Sequence, residues 1–336
     1  MAQATNYYPS QNVSVWYQAE AVVGTQVDDT GLIKLQTTSF TIPEASVPVE
    51  YSSPRSGQFV TTASQGHHSE GTKLWTFDTT MRGTPQSVLL ATQAVFEQAS
   101  SESILYNNYA FPTANYPHGH SSAKTFDIRF EDAGSDDTNH NVVCAGCVGT
   151  GFTLSQDIGS ESGELVCTIN WATAYMPNSV EAGDDAIGSP AYDTGTPKNI
   201  RNLNSATTVI GSEEVVLSSW ELAVTRTIER IHFRDTTSGK FDPLGYAMVG
   251  PYEISGSMTA VRNDSISNTK VAFRNGATVD INIAESSGFA IALDKCYLNE
   301  PSIDNGGAVL MQTIPFTVVG ADDISSATKM LGITIA

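Results

Sequence analysis

Alternation of apolar and polar residues over short segments is the dominant pattern of the sequence. Segments 37–43, 73–79 and 215–233 alternate in this way, and Gly, Asn, Asp and Ser separate the alternating runs. Because successive side chains of a strand point to opposite faces, this period predicts strands with one buried and one solvated face. The chain is therefore predicted to be mainly β.

The longest two-faced unit lies between Val142 and Met176. Two alternating segments flank a polar turn at 157–163, which predicts a long β-hairpin. On its second strand the residues of one face are apolar and those of the other are mostly polar: Leu165, Cys167, Ile169 and Trp171 against Glu164, Thr168 and Asn170. Val166 interrupts the polar side.

One segment follows the helical period. Thr84 is placed to cap a helix and Pro85 suits its first position, and apolar residues recur three and four positions apart up to Phe96. The pattern predicts a helix over about 85–100 that docks on a sheet. A second, short helix is favoured over a hairpin turn between Asp264 and Gly276.

Composition limits the function classes. The 336 residues include 36 Asp and Glu against 17 Lys and Arg, a net charge of −19, although only 16% of residues are charged. Affinity for phosphate comes from Lys and Arg, so a DNA-binding module is nearly excluded, whereas a protein that surrounds DNA without holding it is not. The polar surface is supplied mainly by Ser and Thr.

Domain organisation follows from length and pattern. The length allows a single large β domain over 1–336, with loop-rich elaborations at about 107–137 and 178–198. There is no basic, apolar leader after Met1 and no apolar run long enough to cross a membrane, so we expect a protein made in the cytoplasm without membrane contact.

Candidate metal and catalytic chemistry is sparse. Cys144 and Cys147 form a CxxC, to which His140 and Cys167 could add zinc ligands, but buried thiols at the start of the hairpin explain the same pattern. Adjacent acidic pairs in turns could bind Ca²⁺ or act as the carboxylates of a hydrolase, but simple exposure to solvent explains them equally well. The sequence predicts no catalytic residue, no metal site and no cofactor.

Several segments together resemble a known family. Gly151-Phe-Thr-Leu-Ser155, the polar turn and the strand Glu164 to Ala172 resemble the central hairpin of tail tube proteins of long-tailed bacteriophages. Glu221 to Ile231 and the Ser-Gly-Ser strand Pro251 to Thr259 resemble the strands that follow. The likeness covers about 140–336, and the first third of the chain matches more loosely, through the segment 8–18.

The resemblance implies a fold and a structural role. It implies a β-sandwich or partial barrel with one flanking helix, in which six copies close a ring by joining their sheets into a β-barrel and the rings stack into a tube. The implied partners are further copies of the chain, the tape-measure protein, and tail-terminator and distal tail proteins. DNA would pass through without specific binding, and the protein would reside in the tail of the virion.

The alternation and the implied barrel select candidate residues. An acidic lumen would let DNA slide, because carboxylates repel phosphate. The lumen-lining candidates are Asp157, Glu161, Glu164, Glu221 and Glu229. Arginines that pair across subunits would offset the repulsion between acidic chains, and the candidates are Arg226, Arg230 and Arg234.

Two other function classes fit the same composition. Another β-rich virion component, such as a decoration or baseplate protein, shares the abundance of Ser and Thr. A β-sandwich carbohydrate-binding or hydrolytic protein would use the four Trp, the 12 Tyr and the scattered Asp.

Overall fold

The fold is known from a computed structural model of the chain. It describes residues 13–21, 23–24, 31–43, 49–51, 66–68, 74–96, 102–106, 125–132, 142–160, 162–179, 191–204, 206–234, 241–262, 273–286, 288–319 and 329–334. The fold is mainly β, as predicted. The strands are β1 Val13–Ala19, β2 Ile33–Lys34, β3 Thr37–Phe40, β4 Val49–Tyr51, β5 Gly66–His68, β6 Trp75–Arg82, β7 Glu102–Tyr106, β8 Phe126–Asp132, β9 Val142–Asp157, β10 Val166–Thr173, β11 Asn178–Ser179, β12 Ala191–Tyr192, β13 Val209–Ile210, β14 Glu213–Glu214, β15 Leu217–Arg234, β16 Phe241–Val261, β17 Thr278–Ala284, β18 Ala290–Leu298, β19 Ser302–Asp304, β20 Met311–Val318 and β21 Lys329–Thr334.

An antiparallel central sheet organises the chain. Its strands pair in the order β3, β6, β10, β9, β15, β16 and β20. The predicted hairpin is confirmed as β9 and β10, and the predicted strand over 215–233 is confirmed as β15. The sheet is open rather than closed into a barrel.

The buried face of the central sheet packs against a second layer. The last residues of β18 pair with β20 at the edge of the central sheet, and the rest of β18 pairs with β17 and β21. β21 in turn pairs with β7. The first half of β9 pairs with β8, which pairs with β1. Apolar side chains of β1, β8, β9, β17, β18 and β21 join one core. Thus β9 links the central sheet to β8 and β1.

The predicted helix is confirmed as α1, Pro85–Phe96. Thr84 and Ser87 cap its start reciprocally, since each backbone N–H donates to the other side chain, at 3.1 and 2.9 Å. Its last turn contacts the sheet through Phe96, whose ring meets Phe152 edge to face. The helix end predicted near Ser100 falls outside the described residues. In the described part of the chain, no helix combines the length and apolar character that crossing a membrane requires.

Other predicted segments are partly described. Residues 273–275 form a helical turn that ends at Gly276, whose φ of +62° is left-handed, so the predicted helix exit is confirmed. The predicted helix start at Asp264 lies outside the described residues. Within the predicted elaboration at 178–198, β11 pairs with β9 and β12 with β2, so both of its ends are joined to the sheet. Of the elaboration at 107–137, the described part is 125–132, which holds β8.

The buried carboxyl group of Glu20 joins three segments of the chain beside Gly146 of β9. One oxygen of Glu20 accepts hydrogen bonds from the Gly24 N–H (2.9 Å) and the Thr125 hydroxyl (2.7 Å), and the other accepts one from the Gly146 N–H (2.6 Å). Glu20 is only 7% exposed, and this burial raises its pKa to about 7 against the opposing effect of those hydrogen bonds.

The Glu20 pKa predicts how stability depends on pH. Because the pKa in the folded chain lies above the ordinary value of 4.5, the contribution of Glu20 is complete below about pH 4.5 and is lost as pH rises through about 7. Glu20→Gln removes this titration. Between pH 4.5 and 8 the free energy of unfolding of wild type should therefore fall relative to Glu20→Gln by roughly 3 kcal/mol. Urea unfolding at several pH values measures it, and parallel pH profiles for the two proteins would contradict it.

Gly256 allows three strands to approach closely. It lies in β16 between Leu222 of β15 and Phe316 of β20. A Cβ there would lie 2.2 Å from the Glu221 carbonyl oxygen and 2.5 Å from the Phe316 ring. The register passes through Gly256 without a shift, so its role is close approach and not a bulge.

Gly256→Ala should lower the free energy of unfolding by about 2 to 3 kcal/mol, because the new methyl displaces a strand or a core ring. Gly307→Ala is the matched control, since its Cβ would meet nothing nearer than 3.7 Å. Urea unfolding of both variants tests the difference. Equal stabilities would show that the sheet absorbs the methyl without strain.

Candidate functional site

One face of the central sheet is solvated and is built mostly from polar side chains, chiefly those of Ser and Thr. Paired residues of antiparallel strands share a face, so the register defines this set, here called the polar face. Its members are Thr76, Asp78, Thr80 and Arg82 of β6; Val166, Thr168 and Asn170 of β10; Gly151, Thr153, Ser155 and Asp157 of β9; Ser219, Glu221, Ala223 and Thr225 of β15; Glu253, Ser255, Ser257 and Thr259 of β16; and Thr313, Pro315 and Thr317 of β20.

Hydroxyl groups bond across the strands of the polar face. The Thr80 and Thr168 hydroxyls lie 3.1 Å apart, and those of Thr259 and Thr313 lie 3.0 Å apart. Such cross-strand pairs stabilise a sheet modestly and hold the side chains in place. The result is a surface of fixed hydroxyl groups with few charges.

The charges on the polar face are mostly negative. Its acidic members are Asp78, Asp157, Glu221 and Glu253, and within the described residues its basic member is Arg82 alone. Glu164 binds one edge of the Arg82 guanidinium with both carboxylate oxygens, as Nη2 donates to Oε1 at 2.6 Å and Nε to Oε2 at 3.0 Å. This bonding raises the pKa of Arg82 and lowers the pKa of Glu164.

The opposite face of the same strands forms the core. Trp171 and Trp220 are fully buried, and their indole N–H groups donate to Thr79 at 2.9 Å and to Gln156 at 2.7 Å. These polar partners spare the two indoles the cost of a desolvated N–H group.

Four of the five lumen candidates from the sequence lie in the described part of the chain. Asp157 and Glu221 are exposed members of it. Glu164 lies in the turn before β10 and is paired with Arg82. Glu229 is exposed farther along β15, where that strand pairs with β16. Glu161 lies outside the described residues. Their place in a lumen stays a prediction.

The structure adds residues that the sequence did not single out. The alternation of Glu253, Ser255, Ser257 and Thr259 was visible in the segment Tyr252 to Val261 and could have assigned β16 to the same face. The pairing of Arg82 with Glu164 had no sequence signal, since the two residues are 82 positions apart.

Two of the three candidate arginines are buried within the chain. Arg226 is 5% exposed, and it donates from Nε to the Gly149 carbonyl at 2.8 Å and from Nη2 to the Ala94 carbonyl at 3.0 Å. Arg226 therefore satisfies a carbonyl at the end of α1, where a positive charge is also favourable. Arg230 is 7% exposed, and Arg234 ends β15 opposite Phe241. Pairing of these arginines between subunits stays a prediction.

Arg226→Met should lower the free energy of unfolding by about 2 to 4 kcal/mol, because buried carbonyl groups lose their donors. Arg274→Met is the control, since it removes the same charge at an exposed position. Urea unfolding is measured on dilute chains that light scattering finds unassembled. Unchanged unfolding together with lost assembly would instead place the role of Arg226 in contacts between subunits.

The cysteines show no sign of a metal site. Cys144, Cys147, Cys167 and Cys296 are free and buried. Burial raises the pKa of the Cys167 and Cys296 thiols to about 12 and also raises the pKa of Cys147. Among the described residues no three His, Cys, Asp or Glu side chains lie together as metal ligands do. His140 lies outside that part of the chain.

The chain was compared with protein families, curated proteins and solved structures. A family model described as "Phage tail tube protein" matches residues 10–318. No curated protein matches the sequence. A solved structure described as "Tail of empty GTA particle computed with helical refinement, C6 symmetry" is 13% identical and is matched over 38% of this chain and 85% of its own, with a TM-score of 0.22. At that score the structural likeness supports no argument.

Proposed function

The chain belongs to the phage tail tube protein family, whose model matches residues 10–318 of its 336 residues, and we propose that it forms the wall of a phage tail tube. A structural role in the tail of the virion follows from that membership. The proposal adds the manner of assembly, the lumen, and the molecules that pass through it.

We propose that six copies close a ring by joining their central sheets, and that rings stack into the tube. The described sheet is open. Within the described residues β3 pairs on one side only, with β6, so its other edge can pair with a strand of another copy, whereas the outer edge of β20 already pairs with β18 and β19. Joining sheets edge to edge would keep the polar faces of all copies on one side of the barrel wall.

The polar face is the observation that best supports the proposed lumen. It spans six strands, consists mostly of hydroxyl groups, and has acidic side chains around a single paired arginine. Duplex DNA binds proteins mainly through cations that replace its counterions, so such a surface offers it no site to bind. In this arrangement Asp157, Glu221 and Glu229 would face the lumen.

The proposed partners follow from the same arrangement. During assembly the tube would enclose the tape-measure protein and end at tail-terminator and distal tail proteins. During ejection it would conduct DNA without specific binding. The chain would be made in the host cytoplasm and would have no catalytic role, no cofactor and no membrane contact.

Reactivity of an engineered thiol tests whether the polar face lines the tube. The described native cysteines are buried, so an exposed thiol introduced by Ser255→Cys can be followed against them. Once tubes have assembled, Ser255→Cys should still react with a small maleimide but no longer with a large polymer-linked maleimide, which cannot enter the lumen. Electrophoretic shift of the labelled chain measures both reactions.

Ser286→Cys is the matched control, because Ser286 is exposed in the turn between β17 and β18, outside the central sheet. Its thiol should react with both reagents before and after assembly. A Ser255→Cys thiol that remains open to the large reagent in assembled tubes would contradict the proposed lumen.

A further inference from the structure

Arg82 is the basic member of the polar face, and within the described residues it is the one cation there that could hold a phosphate by charge as well as by hydrogen bonds. Its side chain is 43% exposed at the end of β6. A guanidinium group binds phosphate through paired N–H donors and keeps its charge at any physiological pH. A free arginine on this face would therefore be a point of adhesion for a phosphodiester backbone.

Most of the N–H donors of Arg82 are already engaged. Two of its N–H groups donate to Glu164, and Nη1 donates to the side-chain oxygen of Gln36 at 3.2 Å. Three of the five N–H groups of a guanidinium are thus used, including the edge formed by Nε and Nη2. The carboxylate of Glu164 also cancels the charge, so the pair as a whole is neutral.

The backbone holds the two residues together independently of their attraction. The Gly83 N–H donates to the Leu165 carbonyl at 2.5 Å, the Leu165 N–H to the Lys198 carbonyl at 2.7 Å, and the Lys198 N–H to the Gly83 carbonyl at 3.0 Å. These three bonds fix the positions next to Arg82 and Glu164. A Cβ at Gly83 would lie 2.2 Å from the Leu165 side chain, so the contact is also close.

The ion pair contributes little to stability. Both side chains are partly exposed, and exposed pairs of this kind stabilise folded proteins by about 0 to 1 kcal/mol. The main consequence of the pair is therefore electrostatic: it removes the one positive charge from a surface that is otherwise neutral or negative.

We propose that Glu164 masks Arg82, so that the polar face presents no free cation to a phosphodiester backbone moving along it. Glu164 is then the residue that decides whether nucleic acid slides past this face or adheres to it. This inference rests on the proposed function, because it needs the polar face to meet DNA.

The variant Glu164→Gln tests the masking. It keeps the shape of the side chain but leaves the charge of Arg82 uncancelled. In assembled tubes, Glu164→Gln should retain a short fluorescent DNA duplex about tenfold or more above wild type at low salt. If six arginines contact phosphates, retention should fall on the order of 10³-fold between 50 and 200 mM salt.

Two controls separate masking from a change in total charge. Glu221→Gln removes the same negative charge from the polar face without freeing an arginine, so it should retain little more DNA than wild type. The double variant Arg82→Gln, Glu164→Gln should return retention to the wild-type level. Co-sedimentation of duplex with tubes measures retention, and electron microscopy checks that each variant forms tubes.

The masking would be overturned if Glu164→Gln retained no more DNA than Glu221→Gln, or if the double variant still retained it. Should Glu164→Gln not assemble, fluorescence anisotropy of the duplex with single chains makes the same comparison, with the same two outcomes.

The Ser255→Cys experiment tests the lumen separately. A protected Ser255→Cys thiol with no extra retention would therefore overturn the masking alone, and an unprotected thiol would overturn the lumen.

Discussion

The register of the central sheet is the constraint on which the rest of the structure depends. A slip of one residue between two strands would exchange their faces, placing threonines and carboxylates in the core and tryptophans in solvent. Trp171 and Trp220 fix the register from the buried side, because each donates its indole N–H to a residue on a neighbouring strand. Gly256 fixes it where β15, β16 and β20 approach most closely. The polar face is continuous only because these contacts hold every strand in phase.

Alternation along single strands was enough to predict the strands and their two faces. It identified β9, β10 and β15, and the capping pattern at Thr84 and Pro85 identified the start of α1. The same alternation places Arg226 on the apolar face of its strand, two positions after Val224. Arg226 is buried on that face together with Trp220, Leu222 and Val224. Its charge led to an expectation of pairing between subunits, because nothing in a single strand reveals that a helix end lies beneath it.

Contacts between distant segments were beyond the sequence. Glu20 meets Thr125 and Gly146 because β1, β8 and β9 come together, and Arg82 meets Glu164 because β6 pairs with β10. The alternation of a sequence indicates which face of a strand each residue takes, but ion pairs and buried carboxylates depend on which strands become neighbours. The position of a lumen depends, in addition, on how copies of the chain contact one another.

Hydroxyl groups solve a problem that carboxylates alone would create in the proposed tube. A lumen made repellent only by acidic side chains would bring many like charges close together within each ring of chains that already have a net charge of −19, and that repulsion would oppose assembly. Threonines and serines bond to one another across the strands, as Thr80 does with Thr168, and add no charge. Since phosphate is held mainly by cations, a surface without free cations is already non-adhesive, and a few carboxylates suffice to repel. The masking of Arg82 belongs to the same logic, because one free arginine per chain would be repeated in every ring of the tube.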